Sequence, residues 1–251
     1  MSNFQAWHWA LAALGALAIG LAKTGINGVG MFAVVIFAYL LPARQASGVV
    51  LPMLVLADFV AVGSYRQHAQ WRHLWRLFPW TAAGIVMGYF ALGHIDDHQA
   101  KVLIGIIILV MLAMHFWRRR RPGAVDAEHA MWFAPMIGVL AGFTTLVANA
   151  AGPLMAIYLL AMRLPKMEYM GTAAVFFLLM NLFKVPFMAN LGLVNGSSLW
   201  INLWLAPAVL AGALLGKRIL PHVNQRLFEN LVLGLSAVAA LDLVFNFSHG
   251  R

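Results

Sequence analysis

The chain contains no cysteine. Disulfide bonds, thiolate metal sites and cysteine catalysis are therefore excluded, although this absence does not identify a cellular compartment. The HExxH, P-loop, G-x-S-x-G and Cys/His zinc patterns are also missing. His94, Asp96, Asp97 and His98 are metal-like residue types, but a solvated loop explains them better because no further ligands are near them in the sequence. The sequence predicts no metal site and no cofactor.

Charge is scarce as well. Only 10% of the residues are charged and 63% are hydrophobic, whereas a soluble domain carries about 25% charged residues. The composition therefore predicts an integral membrane protein. The net charge of +9 would suggest nucleic acid in a soluble protein. Here the basic residues stand in short loops between apolar segments, so membrane topology and anionic lipid headgroups explain them better, and we expect no nucleic-acid partner.

The apolar sequence divides into eight segments. Two are too long for one crossing and are interrupted by glycine-rich polar sequence: Trp7–Leu41 and Trp132–Met162. The other six are candidates for single crossings, which need about 17–25 residues. These six are Ala46–Gly63, Leu77–Gly93, Val102–Trp117, Tyr169–Ala189, Leu199–Gly216 and Leu227–Phe247. The N-terminus lacks the basic region and cleavage site of a signal peptide, so we expect Trp7 onward to be mature protein.

The distribution of lysine and arginine distinguishes two topologies. If both interrupted segments are re-entrant hairpins, the basic residues outside the apolar segments divide twelve to three between the two faces; if both cross fully, they divide eight to seven. Cytoplasmic loops are rich in Lys and Arg, so the hairpin topology is favoured. The twelve are Arg66, Arg72, Arg76, Arg118, Arg119, Arg120, Arg121, Arg163, Lys166, Lys217, Arg218 and Arg226, and the three are Arg44, Lys101 and Arg251.

The two halves of the chain resemble each other. Pro42 and Gly48 match Pro165 and Gly171 at one offset, which also places Asp58 on Asn181. A second offset places Pro79, Gly84 and Gly88 on Pro207, Gly212 and Gly216. The alternative is that proline and glycine recur by chance near helix ends.

We therefore predict an all-α integral membrane protein with an inverted-topology repeat. It has six transmembrane helices plus two re-entrant broken-helix hairpins whose tips meet near the midplane. Residues 1–117 form the N-terminal repeat, 118–131 a cytoplasmic linker and 132–251 the C-terminal repeat. Each half contains three crossings, an odd number, so the second half is inverted relative to the first. With the basic loops in the cytoplasm, both termini are expected outside it.

The first interruption carries a lysine in an otherwise uncharged segment. Burying Lys23 costs roughly 2.5–3.5 kcal/mol on insertion scales, so it needs a reason. One is to provide counter-charge for an anion beside the N-terminus of a half-helix starting near Gly30. The alternative is a structural partner for Asp58 or for a helix C-terminus. The predicted binding residues of this break are Lys23, Thr24, Gly25, Asn27, Gly28 and Gly30.

The second interruption brings neutral hydrogen-bonding groups. Thr144, Thr145 and Asn149 precede Gly152 and Pro153, and proline suits the first position of a restarting helix. A single threonine in a membrane helix usually bonds its own backbone. The cluster is therefore better evidence for a binding site than any one of its members.

Two further ionisable residues lie within predicted crossings. Asp58 is a candidate proton carrier, although a neutralising partner for a lysine or a solvated interfacial group are alternatives. Lys184 is predicted to contribute to substrate binding or to extend to the interface. Asn181 lies three residues before it on the same helix face, which adds Asn181 to the candidate site.

At these residues the chain resembles the TauE/SafE sulfite-exporter family. The first-half motifs are Lys23-Thr24-Gly25, Gly28, Gly30, the run Leu41–Gly48, Leu51-Pro52 and Asp58. The second-half motifs are Gly142–Thr145, Gly152-Pro153, Gly171-Thr172, Val175–Phe177, Asn181 and Lys184. The resemblance covers almost the whole chain. Family members often carry a histidine at the position of Asn149 and a glycine at that of Ala151.

The resemblance implies a multi-pass permease of the cytoplasmic membrane that moves small sulfur-containing anions such as sulfite or organosulfonates, usually outward. The resemblance indicates the transport mechanism more specifically than the substrate. The alternatives are a channel or permease for another small anion or solute, an intramembrane enzyme and a non-transporting scaffold. Expected partners are the small anion, membrane lipids and, for a homo-oligomer, further copies of the chain.

Overall fold

The computed structural model describes residues 5–25, 29–41, 43–92 and 131–245, with isolated positions between 106 and 113. Within these residues the regular structure is helical. The helices are α1 (Ala6–Thr24), α2 (Gly30–Leu40), α3 (Ala43–Tyr65), α4 (Trp71–Ala91), α5 (Phe133–Ala148), α6 (Ala151–Ala161), α7 (Lys166–Asn190), α8 (Gly196–Ile219) and α9 (Gln225–Phe245). Short 3-10 turns follow α3 at Arg66–His68 and α8 at Leu220–His222.

Four helical segments are long and apolar enough to cross a membrane, by length and composition: Ala6–Thr24, Gln45–His68, Lys166–Asn190 and Gly196–His222. The predicted crossings in α3, α7 and α8 lie inside these helices. α4 begins at Trp71 rather than Leu77, and α9 covers Gln225–Phe245. The predicted crossing Val102–Trp117 and the linker 118–131 lie almost entirely outside the described residues.

Both interrupted segments turn back on themselves. α2 packs along α1, since a Cβ added at Gly15 would lie 2.9 Å from the Phe37 ring. The beginning of α5 and the end of α6 are also together, because Phe133 stacks on Tyr158 with ring centroids 5.8 Å apart. We call α1–α2 the first hairpin and α5–α6 the second hairpin.

The two arms of each hairpin are unequal in length. α1 has 19 residues and α2 has 11; α5 has 16 and α6 has 11. At 1.5 Å per residue α1 is about 28 Å long, close to the thickness of a bilayer core. Gly20 does not end α1 because its bare backbone packs against Val209 and Ala213 of α8, so the helix continues until Gly25.

The tips of the two hairpins do not meet, which corrects the expectation of a shared midplane break. The Tyr65 hydroxyl donates to the carbonyl of Thr24 at the first tip, 2.8 Å away. At the second tip, Asn149 Nδ2 donates to Ser47 Oγ, 2.9 Å away. Ser47 and Tyr65 lie near opposite ends of α3, about 27 Å apart along its axis. Each hairpin therefore extends past the level of the other one's tip.

α3 and α7 run antiparallel through the centre. Gly48 of α3 packs against the backbone of Leu193 just after α7, whereas Gly171 near the start of α7 packs against the carbonyl of Tyr65. Asp58 and Asn181 are in contact between these points. The central helices therefore point in opposite directions.

Two outer helix pairs pack in matching register. A Cβ on Gly212 of α8 would overlap the Leu17 carbonyl of α1, and one on Gly84 of α4 would overlap the Val139 carbonyl of α5. A Cβ on Gly20 would likewise overlap the carbonyl of Val209. Glycine is required here because the helix backbones touch directly.

Most described basic residues collect at one end of the bundle. Gln70 Nε2 donates to Glu168 Oε2 at 2.8 Å, and Lys166 Nζ donates to the Leu220 carbonyl at 2.9 Å. These bonds place the α3–α4 connection, the start of α7 and the end of α8 together. The basic residues of these connections, and of the adjoining helix ends, are Arg66, Arg72, Arg76, Arg163, Lys166, Lys217, Arg218 and Arg226. Arg44 belongs to the opposite end of α3.

The apolar side chains divide between the interior and the outer surface. α6 is enclosed, with Leu154, Met155 and Leu159 all fully buried. By contrast Trp75 of α4 and Trp204 of α8 are 69% and 63% exposed. Large exposed apolar side chains on long apolar helices are typical of a surface that faces lipid.

Candidate functional site

Asn149 makes the second break. It is one of the non-glycine residues with a positive φ, 53°, a left-handed conformation in which asparagine is tolerated. Its own N–H donates to the Thr145 carbonyl at 3.0 Å, and Ala150 N–H donates to the Thr144 carbonyl at 3.2 Å. This pattern closes α5 while satisfying its last carbonyls. The Asn149 side chain remains available for contacts with other helices.

Lys184 of α7 is fully buried beside this break. Its Nζ donates to Asn149 Oδ1 at 2.6 Å, to Thr145 Oγ1 at 3.2 Å and to the Thr145 carbonyl at 3.2 Å. All three acceptors are neutral. Among the described residues no carboxylate lies within ion-pair distance of Lys184. When it is protonated, the Lys184 ammonium is hydrogen-bonded by the protein but has no carboxylate partner in the described part of the chain.

Lys23 has a different environment. Its Nζ lies 2.9 Å from Asp58 Oδ1 and 3.9 Å from the centroid of the Phe177 ring. Asn181 Nδ2 donates to the other carboxylate oxygen, Asp58 Oδ2, at 2.6 Å. Asp58 has no exposed side-chain surface, and Lys23 is 10% exposed. This is a buried ion pair, in which each charge offsets the desolvation cost of the other.

α7 joins the two environments. Asn181 and Lys184 are three residues apart on one helix and therefore project from the same face. Asn181 contacts the ion pair, and Lys184 contacts the second break. When all three groups are ionised, two lysines and one aspartate leave a net charge of +1 in the interior. We call Lys184, Thr145, Asn149 and Asn181 the Lys184 site.

Several predicted residues have structural contacts instead. Thr24 is buried, and its hydroxyl donates to the Ala213 carbonyl at 2.6 Å. The Thr144 hydroxyl bonds the Ala141 carbonyl of its own helix at 3.3 Å. Gly25 packs against Gly216, where an added Cβ would lie 2.9 Å from the Gly216 Cα. These residues hold helices together and do not belong to the Lys184 site.

The remaining predicted residues are not part of the Lys184 site. Gly30 begins α2, where an added Cβ would lie 3.2 Å from the Ala22 Cβ. No atom of the described residues lies within 4 Å of a Cβ added at Gly152. Asn27 and Gly28 lie outside the described residues.

Sequence reasoning missed Ser47 and Phe177. Ser47 is buried near the start of α3 and accepts from Asn149 through both its hydroxyl and its carbonyl. Its only signal was its place in the motif Leu41–Gly48. Phe177 belongs to a quoted motif too, but its contact with Lys23 depends on the packing of α1 against α7. Neither role is readable from spacing within one segment.

The long apolar helices, with large apolar side chains exposed on their outer surface, define a multi-pass helical membrane protein. The particular family follows from a comparison with family models. The model described as "Sulfite exporter TauE/SafE" matches residues 11–243, so this chain belongs to the TauE/SafE family, as the sequence motifs predicted. The family is one of membrane transporters of sulfite or related anions. The curated proteins and solved structures compared with the chain include no match.

Proposed function

We propose that this protein is a secondary transporter, and specifically an exporter, of small sulfur-containing anions such as sulfite or organosulfonates. It would operate in the cytoplasmic membrane with both termini outside the cytoplasm. The observation that supports the proposal most directly is Lys184, a fully buried lysine whose hydrogen-bond acceptors are all neutral.

An uncompensated buried ammonium needs a counter-charge. Moving an isolated charge into a protein interior costs several kcal/mol even after relaxation. Asp58 cannot fully supply the balance, since it is already paired with Lys23. A bound monoanion next to Lys184 would bring the buried charge to zero. We therefore assign the anion to the Lys184 site, with Thr145 and Asn149 as neutral neighbours.

Lys23 then has the role of counter-ion to Asp58, the alternative to direct substrate binding. Asp58 is also the proposed proton carrier, because a proton on Asp58 would release the Lys23 ammonium. The double variant Lys23→Met/Asp58→Asn separates the two roles. Transport that continues without proton coupling identifies Asp58 as the carrier; transport with unchanged coupling limits the pair to charge balance.

The matching helix contacts support an inverted repeat. Leu17 and Val139 are 122 positions apart and contact Gly212 and Gly84, which are 128 positions apart. Contacts between different helices thus recur at constant offsets. The equivalent helices α3 and α7 are antiparallel, as a two-fold axis in the membrane plane requires. Their proposed equivalents Asp58 and Asn181 touch, which fits residues close to such an axis.

The enclosure of the site supports a carrier. Lys184 has no exposed surface, so an anion can reach it only if the helices around the second break separate. Inverted repeats commonly provide such movement by rocking one unit against another. A channel would instead keep its binding groups accessible from a continuous pore.

The primary experiment is thermal unfolding of the purified protein with and without sulfite, since a ligand that binds only the folded state raises apparent stability. We expect stabilisation of the natural protein and of Lys217→Met, a matched control at an exposed lysine. We expect no stabilisation of folded Lys184→Met. Equal stabilisation of both variants would contradict the assignment of the anion to Lys184.

Transport is tested in proteoliposomes loaded with unlabelled sulfite. A carrier should accelerate uptake of radiolabelled sulfite by exchange, with saturation. Flux that is linear in concentration and unaffected by internal sulfite would identify a channel instead.

A further inference from the structure

Asn181 carries a buried acceptor at its side-chain oxygen. Its Nδ2 donates to Asp58 Oδ2 at 2.6 Å, which fixes the orientation of the amide. The other end, Asn181 Oδ1, is buried and has no hydrogen-bond partner among the described residues. An unsatisfied buried acceptor costs about 1–3 kcal/mol, so a ligand that supplies a donor would recover this cost.

The position of this acceptor relates it to the anion. Asn181 and Lys184 project from one face of α7, one turn apart. An oxyanion between them would present a negative oxygen to the Lys184 ammonium and a second oxygen to Asn181 Oδ1. Two acceptors repel each other, so the second oxygen must carry a hydrogen if the contact is to be favourable.

The local charges favour the same species. The two lysines and Asp58 sum to +1, which a monoanion neutralises and a dianion exceeds. A second negative charge would also lie close to the Asp58 carboxylate, which contacts Asn181 directly. Buried like charges are strongly unfavourable.

Resting on the proposed function, we propose that Asn181 is a specificity-determining residue that favours protonated oxyanions: monoanions that retain one O–H group, such as hydrogensulfite, bind more tightly than fully ionised sulfite or a sulfonate of the same shape. The O–H donates to Asn181 Oδ1, while the charged oxygens face Lys184. The protein then carries the protonated form of a weak acid, and its apparent affinity for total sulfite falls as the solution becomes alkaline.

Methylphosphonate and methanesulfonate are suitable probes because they have nearly the same shape. In mildly acidic buffer both are monoanions, but only methylphosphonate retains an O–H. We expect the natural protein to bind methylphosphonate about three- to ten-fold more tightly in calorimetry, as one neutral hydrogen bond supplies. In alkaline buffer methylphosphonate becomes a dianion and should lose this advantage, with methanesulfonate as the reference for any change in the protein.

Asn181→Leu removes the acceptor and should bring the ratio of the two affinities in mildly acidic buffer close to one. Asn202→Leu is the matched control. Asn202 of α8 also has a buried Oδ1 without a partner in the described part of the chain, but its amide donates to the carbonyls of Val49 and Ser198. It should keep the natural ratio.

The natural protein decides the matter even if Asn181→Leu does not fold. Equal affinity for the two probes in mildly acidic buffer overturns the selection of an O–H group while leaving an anion site in place. A preference that persists in folded Asn181→Leu overturns the assignment to Asn181. If neither probe nor sulfite binds, the proposed transport site itself is wrong.

Discussion

The two buried lysines of this protein have opposite surroundings. Lys23 belongs to the first hairpin and is paired with a carboxylate on a central helix. Lys184 belongs to the other central helix and is hydrogen-bonded by three neutral groups, all of them in the second hairpin. The same side chain therefore has a carboxylate partner in one place and only neutral acceptors in the other. The proposal of an anion site at Lys184 depends on this difference and not on burial alone.

The comparison extends to the equivalent positions of the proposed repeat. Lys23 and Thr145 are 122 positions apart, the same separation as Leu17 and Val139. At these matched positions the side chains differ, since Thr145 corresponds to Lys23 and Asn181 corresponds to Asp58. Such asymmetry is expected where a single ligand binds near an approximate two-fold axis.

The largest expected effect concerns the orientation of the hairpins. Ser197 and Lys217 are exposed near opposite ends of α8, and the chain has no native cysteine. We expect Ser197→Cys to react with an impermeant thiol reagent on intact cells, and Lys217→Cys to react only after permeabilisation. The opposite pattern would place the basic end outside and invert both hairpins.

The next effect distinguishes the two lysines by stability. Lys23→Met should cost about 3–5 kcal/mol, because it leaves the buried Asp58 carboxylate unpaired. Lys184→Met removes an unbalanced charge and leaves only neutral acceptors, so its cost should not exceed about 1–3 kcal/mol. Denaturant unfolding in detergent measures both.

Adding Asp58→Asn to Lys23→Met provides the control. The double variant should regain most of the lost stability because the unpaired carboxylate at position 58 is gone. If Lys23→Met proves no less stable than Lys184→Met, the two sites do not differ in charge balance as described.

The repeat is tested by paired glycine substitutions. An added Cβ on Gly20 would overlap the Val209 carbonyl, and one on Gly142 would overlap the Thr81 carbonyl. Gly20→Ala and Gly142→Ala should each lose about 1–3 kcal/mol through overpacking, by similar amounts. Gly63→Ala should lose none, because no atom of the described ranges lies within 4 Å of the new methyl group. Unfolding midpoints that differ widely between the first two variants would count against equivalent packing.

The smallest expected effect separates the contribution of the Asn149 side chain from the cost of its left-handed backbone conformation. Asn149→Gly and Asn149→Ala both lose the hydrogen bonds to Lys184 and Ser47. Only alanine also meets the cost of the left-handed conformation, about 1–2 kcal/mol. Thermal unfolding should therefore rank Asn149→Gly above Asn149→Ala. Identical stabilities would mean that the chain at this position does not need a positive φ.

Some of the architecture was predictable from local sequence. The interrupted segments, the helices at α3, α7 and α8 and the family all follow from apolar length and from motifs around glycine and proline. The lengths of the hairpin arms were not predictable, because Gly20 looks like a helix breaker by itself. Only its contact with α8 shows that it is a packing site. Threonines were ambiguous for the same reason: Thr145 contacts Lys184, while Thr144 bonds its own helix.

The sequence by itself determined that this chain is a helical membrane protein of the TauE/SafE family with two broken hairpins and buried ionisable residues. These properties depend on composition and on spacing within single segments. The tertiary structure alone decided that Asp58 pairs with Lys23 and not with Lys184, because Coulomb energy depends on distance in space. The groups concerned come from helices far apart in the chain. That choice of partner leaves Lys184 without a carboxylate partner among the described residues.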